Sequence, residues 1–562
     1  MLAHLAHLFH CLAREFPERE ALIWRDRVLS YGKLDERSRR FAHALLSFGL
    51  GCHRERADLQ PWESGQDHVA LYMYNCNEYL EAAYGAYYAR AVPINVNYRY
   101  VDDELLYLFR NSEARAVVYH AAFAPRVRAI RQELPKLQYL IQVADESGEP
   151  LLDGAIDYEE LLARLSPELP PLPYSPDDLY ILYTGGTTGL PKGVVWRQED
   201  VYYAGLGGAL PGFPRIESEE QFLELARIGL GGRPVVAAPF MHGAGHWTCF
   251  NTFHRGGTVV LPEQNRRFDP HDVWRTVERW QADQLGLIGD SFALPLLQAL
   301  EEKRYDTSSI RVVVSTAAVL SPSVRERLLR YLPQGVMVIE NIGASEAGLQ
   351  AMSFDTTSSF SGLPAYQLRD NTVLLNADRS ARLEPGTARP GPEGDIGWVA
   401  TFGHIPLGYL GDPEKTRQTF PVIDGIRYCI GGDRACYATD GRVLFLGRES
   451  SCINTGGEKV YVEEVERVLK GHSAIYDALV VGVPDPRWGQ RVTAVVALRP
   501  GHPAPTLEEL RAHCAPHLAG YKSPRAVVVA AQIQRSPSGK PDYEWARQYA
   551  RAQLRLESER SD

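Results

Sequence analysis

Apolar runs of strand length alternate with helix-periodic stretches along the first 175 residues of this chain. Val69-Ala70-Leu71-Tyr72-Met73 and Ala116-Val117-Val118-Tyr119 are two of the runs. This alternation predicts an α/β sheet covered by helices. Between them, residues 54–67 are polar and carry Pro61 and Gly65, the composition of a surface loop. The tyrosines from Tyr72 to Tyr100 are dense enough to line a pocket, but a helix and strands burying one face account for them more simply. At the N-terminus Leu2, Leu5, Phe9 and Leu12 form a packed helical stripe. His4, His7 and His10 drift around that helix, which predicts a solvated or interface row rather than a metal site.

A Pro-rich break at Leu169-Pro170-Pro171-Leu172-Pro173 precedes further β/α alternation, with strands expected at 235–238, 258–261, 312–315 and 336–339. From about Arg389 the runs shorten and are broken by Gly and Pro, as in Gly397-Trp398-Val399-Ala400 and Arg442-Val443-Leu444-Phe445-Leu446, which suggests a small β-rich subdomain. After Gly447 a compact α+β pattern begins, with a helix over 462–469 and strands at 478–483 and 493–498. The expected organisation is an N-terminal domain over 1–447, a hinge at 448–451 and a C-terminal domain over 452–562. No internal repeat or low-complexity tract interrupts it.

Composition narrows the partners. A chain of 562 residues exceeds one ordinary core. A formal net charge of −10 argues against a general nucleic-acid binder. The eight cysteines form no CxxC pair and read as free thiols in a reducing, cytoplasmic compartment. No apolar run reaches the roughly 18 residues of a membrane span. The N-terminus lacks the basic leader of a signal peptide.

The densest chemistry lies in Tyr183-Thr184-Gly185-Gly186-Thr187-Thr188-Gly189-Leu190-Pro191-Lys192-Gly193. Glycines let backbone N–H groups face an anion, threonines add hydroxyl donors and Lys192 adds charge, the makings of a polyphosphate cradle. No Lys-Ser/Thr pair opens a helix, so this is not a Walker A loop. Glu340-Asn341-Ile342-Gly343-Ala344-Ser345-Glu346 follows a strand, where ligands of parallel sheets gather and a carboxylate is placed to hold Mg²⁺. Alone, Glu346 would also suit a helix N-terminus. In Gly431-Gly432-Asp433, with Arg448 fifteen residues after Asp433, the carboxylate is suited to accept from ribose hydroxyls. Pro239-Phe240-Met241-His242-Gly243-Ala244-Gly245, Thr316-Ala317-Ala318, Cys452 to Val460 and Ser536-Pro537-Ser538-Gly539-Lys540-Pro541 complete the set.

In this order the segments resemble the adenylate-forming superfamily, which includes acyl-CoA synthetases, luciferases and peptide-synthetase adenylation domains. The resemblance implies a large α/β N-terminal domain, built of two α/β subdomains and the β-rich one, and a small mobile α+β C-terminal domain. It implies Thr184, Gly185, Gly186, Thr187, Thr188, Gly189 and Lys192 at the phosphates, and Asn341, Ile342, Gly343 and Ser345 along the nucleotide. Ser345 replaces the more usual Thr, and Ile342 stands where an aromatic often packs adenine. Glu346 and Thr184 would hold Mg²⁺, Asp433 and Arg448 the ribose. His242, Gly243, Gly245, Ala317 and Ala318 would border the acyl pocket, Gly456 and Gly457 the CoA thiol arm, and Ser450 would be the hinge. Lys540 would reach from the small domain to the reacting carboxylate, so Lys540, Glu346 and Lys192 are the catalytic candidates.

The implied activity is ATP-dependent ligation of a hydrophobic carboxylic acid to CoA through acyl-AMP. The runs 195–200 and 452–459 are especially similar to bacterial synthetases that activate sterol side-chain carboxylates, with medium- or long-chain fatty acids as the competing substrates. A domain that loads a carrier protein would share every nucleotide motif. A non-catalytic nucleotide binder is expected to lack Lys540 or Glu346, and both are present. The oligomeric state stays open, a homodimer being one option.

Overall fold

The computed structural model describes the chain except residues 1, 185–189, 210–212, 355–363, 393, 456–457, 486, 537–538 and 562, and the side chains of 450 and 556–561. Near the N-terminus the strands Val92–Asn95, His68–Tyr72, Ala116–His120, Tyr139–Val143 and Ala155–Asp157 form a parallel sheet in that spatial order. Its strands up to Tyr139–Val143 are buried on both faces, as a parallel sheet wrapped by helices must be, and the edge strand Ala155–Asp157 is half-exposed. Val69, Leu71 and Val118 enter one core while Ala70, Tyr72, Val117 and Tyr119 enter another. The helix Asn77–Tyr88 is buried along its whole length. Tyr79, Tyr84, Tyr87 and Tyr88 are therefore core residues, as the simpler reading of the tyrosines expects. His4 departs from expectation. It is fully buried, 3.3 Å from Asp178, and it caps the helix Leu5–Glu15.

The second sheet contains 16 strands among the described residues. Its parallel part runs Val259–Leu261, Pro234–Val235, Gln284–Leu287, Val312–Thr316, Met337–Ala344. Gly348–Ser353 then turns back antiparallel to Met337–Ala344. The β-rich stretch begins earlier than Arg389, at Ala365–Leu368. It is joined to the larger sheet by backbone pairing, because Ala365–Leu368 bonds to Gly348–Ser353 on one side and to Val443–Arg448 on the other. A separate hairpin pairs Leu179–Thr184 with Lys192–Arg197, and Gly408–Tyr409 adds a third strand.

Beyond the short 3₁₀ turn Glu449–Ser451, a mixed sheet forms from Glu458–Val460, Ile453–Thr455, Gly489–Leu498, Ile475–Asp485 and Ala526–Val529. The helix Val462–Lys470 spaces Val462, Val465 and Leu469 three and four apart, and all three are buried against one face of it. The C-terminal helix, beginning at Tyr543, buries Ala546 and Ala550 against the other. Among the described residues no helix is long and apolar enough to cross a membrane. All eight cysteines are free thiols.

Candidate active site

The glycine-rich segment lies in the chain between the two strands of the hairpin. Thr184 and Lys192 face each other as the last pair of its ladder, so the intervening loop springs from two fixed strand ends. Gly185, Gly186, Thr187, Thr188 and Gly189 lie outside the described residues. Lys192 Nζ stands 2.8 Å from Asp412 Oδ2 and 5.6 Å from the centre of the Tyr409 ring. Partial burial opposes ionisation of Asp412, but Lys192 and the Lys415 amide hold its carboxyl below the usual range. Asp412 itself caps the helix Pro413–Thr419. Neither Tyr409 nor Asp412 was among the residues expected from the sequence.

Glu346 sits in the turn between Met337–Ala344 and Gly348–Ser353, where the parallel sheet gives way to an antiparallel strand. The segment Asn341–Ala344 is strand rather than loop, with a register shift between Ile342 and Gly343 that bends the hairpin. A Cβ at Gly343 would lie 2.5 Å from the Gly348 carbonyl oxygen, so only glycine fits that crossing. Ser345 is fixed through its carbonyl, which accepts from Trp196 Nε1 at 2.9 Å. Ile342 is half-buried beside Asn341, whose Oδ1 is buried without a hydrogen-bond partner. An orphaned acceptor of that kind suits a ligand donor.

The chemistry of Glu346 fits a hard cation. Its Oε1 accepts from the Tyr409 hydroxyl at 3.2 Å, and burial with the neighbouring Glu346 charge keeps that phenol protonated. Among the described residues no lysine, arginine or histidine forms an ion pair with it, which leaves its oxygens available to Mg²⁺. Thr184 stands half-buried at the end of its strand.

Asp433 and Arg448 are direct neighbours across the antiparallel strands Asp433–Tyr437 and Val443–Arg448, with Nε to Oδ1 at 3.3 Å. The Asp433 charge, against the cost of burial and with help from Glu346, raises the Arg448 pKa. Lys540 is solvent-accessible and lies within electrostatic reach of Arg448, Glu346 and Asp433. Crowding by protein and by Arg448 lowers its pKa against the pull of the two carboxylates. The structure thus brings Glu346, Asp433, Arg448 and Lys540 within electrostatic reach of one another, with Lys192 linked to Glu346 through Tyr409.

His242 occupies the N-cap of the helix Gly243–His254, and its Nε2 is buried without a partner. Burial first, then Lys540 and Arg99, push its pKa down to about 3, so the ring is neutral near pH 7. A Cβ on Gly243 would meet Leu182 at 3.1 Å and Ser345 Oγ at 3.6 Å, which places this helix start against the nucleotide segment. Gly245 is small for another reason. Its Cβ would stand 2.5 Å from the Ala238 carbonyl and 2.6 Å from that of Pro239, so its missing side chain is used by backbone packing and opens no space for substrate. Ala317 adopts φ +64°, a left-handed conformation rare for alanine, on the loop leaving Val312–Thr316, with Ala318 half-buried after it. Thr316 pairs with Asn341, which brings that loop beside the nucleotide segment. Gly456 and Gly457 lie outside the described residues. Ser450 is in the turn Glu449–Ser451, and its side chain is not described.

Comparison with known proteins identifies the family of the chain. Residues 9–388 match the family of AMP-binding enzymes, and residues 464–540 match the AMP-binding enzyme C-terminal domain. The chain is 48% identical over 541 residues to a medium-chain acyl-CoA ligase of Mycobacterium avium, covering 96% of each. It is 41% identical over 558 residues to a 3-oxocholest-4-en-26-oate–CoA ligase of Rhodococcus rhodochrous, covering 97% of this chain and 96% of the relative. Among solved structures, a benzoate CoA ligase from Burkholderia xenovorans LB400 superposes with a TM-score of 0.77 at 22% identity, over 97% of this chain and 100% of that one. The chain therefore belongs to the AMP-binding enzymes of the adenylate-forming superfamily, among the acyl-CoA synthetases.

Proposed function

We propose that the chain activates a hydrophobic carboxylic acid with ATP and Mg²⁺ and transfers the acyl group to CoA. The observation that carries this is the convergence of Lys540 with Glu346, Asp433 and Arg448 on one cleft beside the neutral His242. In the first step the substrate carboxylate attacks the α-phosphorus of ATP and pyrophosphate leaves. Lys192, Thr184 and the glycine-rich loop at 185–189 would hold the phosphates, and Asp433 with Arg448 the ribose. Bound at Glu346 and Thr184, Mg²⁺ would supply charge neutralisation. Lys540 would neutralise the carboxylate and α-phosphate as they meet, chemistry that depends on placed charge more than on covalent participation. In the second step the CoA thiolate attacks the acyl carbonyl and AMP leaves. We assign residues 1–447 and 452–562 to the two domains, and the turn at 448–451, including Ser450, to the hinge between them. Gly456 and Gly457 would then border the CoA arm after rotation. Free thiols favour a cytoplasmic setting.

One relative is named a medium-chain ligase, another a 3-oxocholest-4-en-26-oate ligase, and others at 40–41% identity are named for both medium/long-chain fatty acids and that steroid acid. Small side chains at Gly243, Gly245, Ala317 and Ala318 would suit a wide pocket and a bulky acid. Gly245 gives that inference no support, and identity is higher to the medium-chain enzyme. Medium-chain fatty acids are therefore the first substrates to test, with 3-oxo-steroid side-chain acids second. CoA-dependent AMP release across both series is the measurement. Specificity constants for C8–C12 acids should exceed those for steroid acids about tenfold, roughly 1.4 kcal/mol in transition-state binding. The reverse ranking would favour the steroid reading.

A further inference from the structure

Asp290 is buried in the first turn of the helix Gly289–Glu302, beneath the loop that carries Ala317 and Ala318. Its Oδ1 accepts from the Ser321 amide at 2.7 Å and its Oδ2 from the Ser321 hydroxyl at 2.5 Å. Its own amide donates to the Val319 carbonyl at 3.0 Å. Against Oδ2, at 3.4 Å, stands the Nζ of Lys470, the last residue of the helix Val462–Lys470. Lys470 is also 3.6 Å from Asp477 Oδ1. Asp477 is gripped by Arg535, with Nη2 at 2.8 and 2.9 Å and Nε at 3.1 Å. Arg535 Nη1 donates in turn to the Gly539 carbonyl at 3.3 Å. Gly539 has φ +77°, and a side chain there would collide with Ser291 and approach Ile288 Cγ2 at 3.1 Å. The next residue is Lys540. A continuous chain of ion pairs and hydrogen bonds therefore joins the loop at 316–321 to the turn that presents Lys540.

We propose that the Lys470–Asp290 pair is a releasable latch that holds Lys540 in place for acyl-AMP formation, which makes Lys470 a positioning residue. The proposal rests on the two-step ligase reading. Breaking a buried ion pair is costly when it strands a charge. Here neither partner is stranded, because Asp290 keeps both Ser321 hydrogen bonds and Lys470 keeps Asp477. Burial disfavours the Lys470 charge, and the two aspartates more than offset it. Of the other ionisable neighbours, Glu340, which feels the Asp290 charge, is paired with Arg325 at 3.0 Å, and Glu466 on the same helix has its carboxyl pushed up to about 8 by burial. It accepts from the Val480 amide and the Tyr543 hydroxyl. Near pH 7 the closed cluster thus balances two cations, Lys470 and Arg535, against two anions, Asp290 and Asp477. Separation would leave Asp290 at −1 with its two Ser321 hydrogen bonds and the Lys470–Asp477–Arg535 group at +1, so the closed state is favoured and still reversible.

The test separates the half-reactions in Asp290→Asn, which keeps the side-chain shape, and in Lys470→Met and Lys470→Arg. Decanoate-dependent ATP–pyrophosphate exchange reads the first step, and decanoyl-CoA formation from supplied decanoyl-AMP reads the second. Exchange in Asp290→Asn and Lys470→Met should fall about tenfold or more while the second step stays within about twofold, and Lys470→Arg should recover most of the exchange. An equal fall in both steps, or no change in either, in variants that melt like the unsubstituted protein would overturn the latch. If the unsubstituted protein shows no acid-dependent exchange with decanoate or with any other acid, the ligase reading fails and the latch with it. If it exchanges normally and only the variants disagree, the latch alone fails.

Discussion

Lys540→Ala is expected to abolish acyl-AMP formation while leaving thioester formation from supplied acyl-AMP within a few-fold of normal. Lys540 lies at the cleft beside Arg448, Glu346 and Asp433, on a turn anchored by Ser536 and Arg535. In the proposed first step its ammonium group would meet the substrate carboxylate as that group approaches an already anionic phosphate. Two negative charges brought together in a partly desolvated site need a fixed cation, and water supplies one poorly. The thioester step has no such need, since its nucleophile attacks a neutral carbonyl carbon. If both steps use Lys540 equally, the same alanine variant will lower them in parallel, and the small domain will not need two positions. A lid or domain motion that gates turnover predicts the split. Pyrophosphate exchange and single-turnover thioester formation, measured on one folded preparation, read it directly.

Glu346→Gln should lower adenylation by about two orders of magnitude or more, the scale of losing one strong electrostatic contact, about 2.7 kcal/mol. Glutamine keeps the shape and can still accept from the Tyr409 hydroxyl, so the hairpin turn should survive. What is lost is the anionic oxygen available to Mg²⁺. The variant should also need a higher Mg²⁺ concentration for half-maximal exchange. Near-normal exchange, or an unchanged Mg²⁺ dependence, in a variant that melts like the parent would remove Glu346 from the metal site.

Contacts made within one hairpin were the most legible in the sequence. Thr184 and Lys192 bracket a single loop, and their ladder pairing follows from strand, turn and strand. Asp433 and Arg448 are fifteen residues apart for the same reason, since an antiparallel return brings them side by side. The Lys192–Asp412 pair spans 220 residues, and no local pattern announces it. Asp412 had a signal of its own, an N-capping aspartate before Pro413 at the helix start, but that signal speaks of the helix and not of the lysine. The β-rich stretch misled in a similar way. Its short runs look like a separate unit from Arg389 onward, whereas Ala365–Leu368 ties them to the large sheet through pairings that the chain order hides. Gly245 shows the limit of reading size from sequence, because a missing side chain serves backbone packing as readily as a ligand. Lys470 looks like an ordinary helix C-terminal lysine until the fold sets Asp290 beside it.

The central claim is that an acyl-AMP forms first and is then discharged by CoA. Rapid quench of the protein with α-labelled ATP, Mg²⁺ and decanoate, in the absence of CoA, tests it most directly. Labelled decanoyl-AMP should accumulate to about one equivalent per site, with pyrophosphate released, and addition of CoA should convert it to AMP and decanoyl-CoA in one turnover. Formation of ADP, or AMP that appears only when CoA is present and with no labelled intermediate before it, would contradict the account.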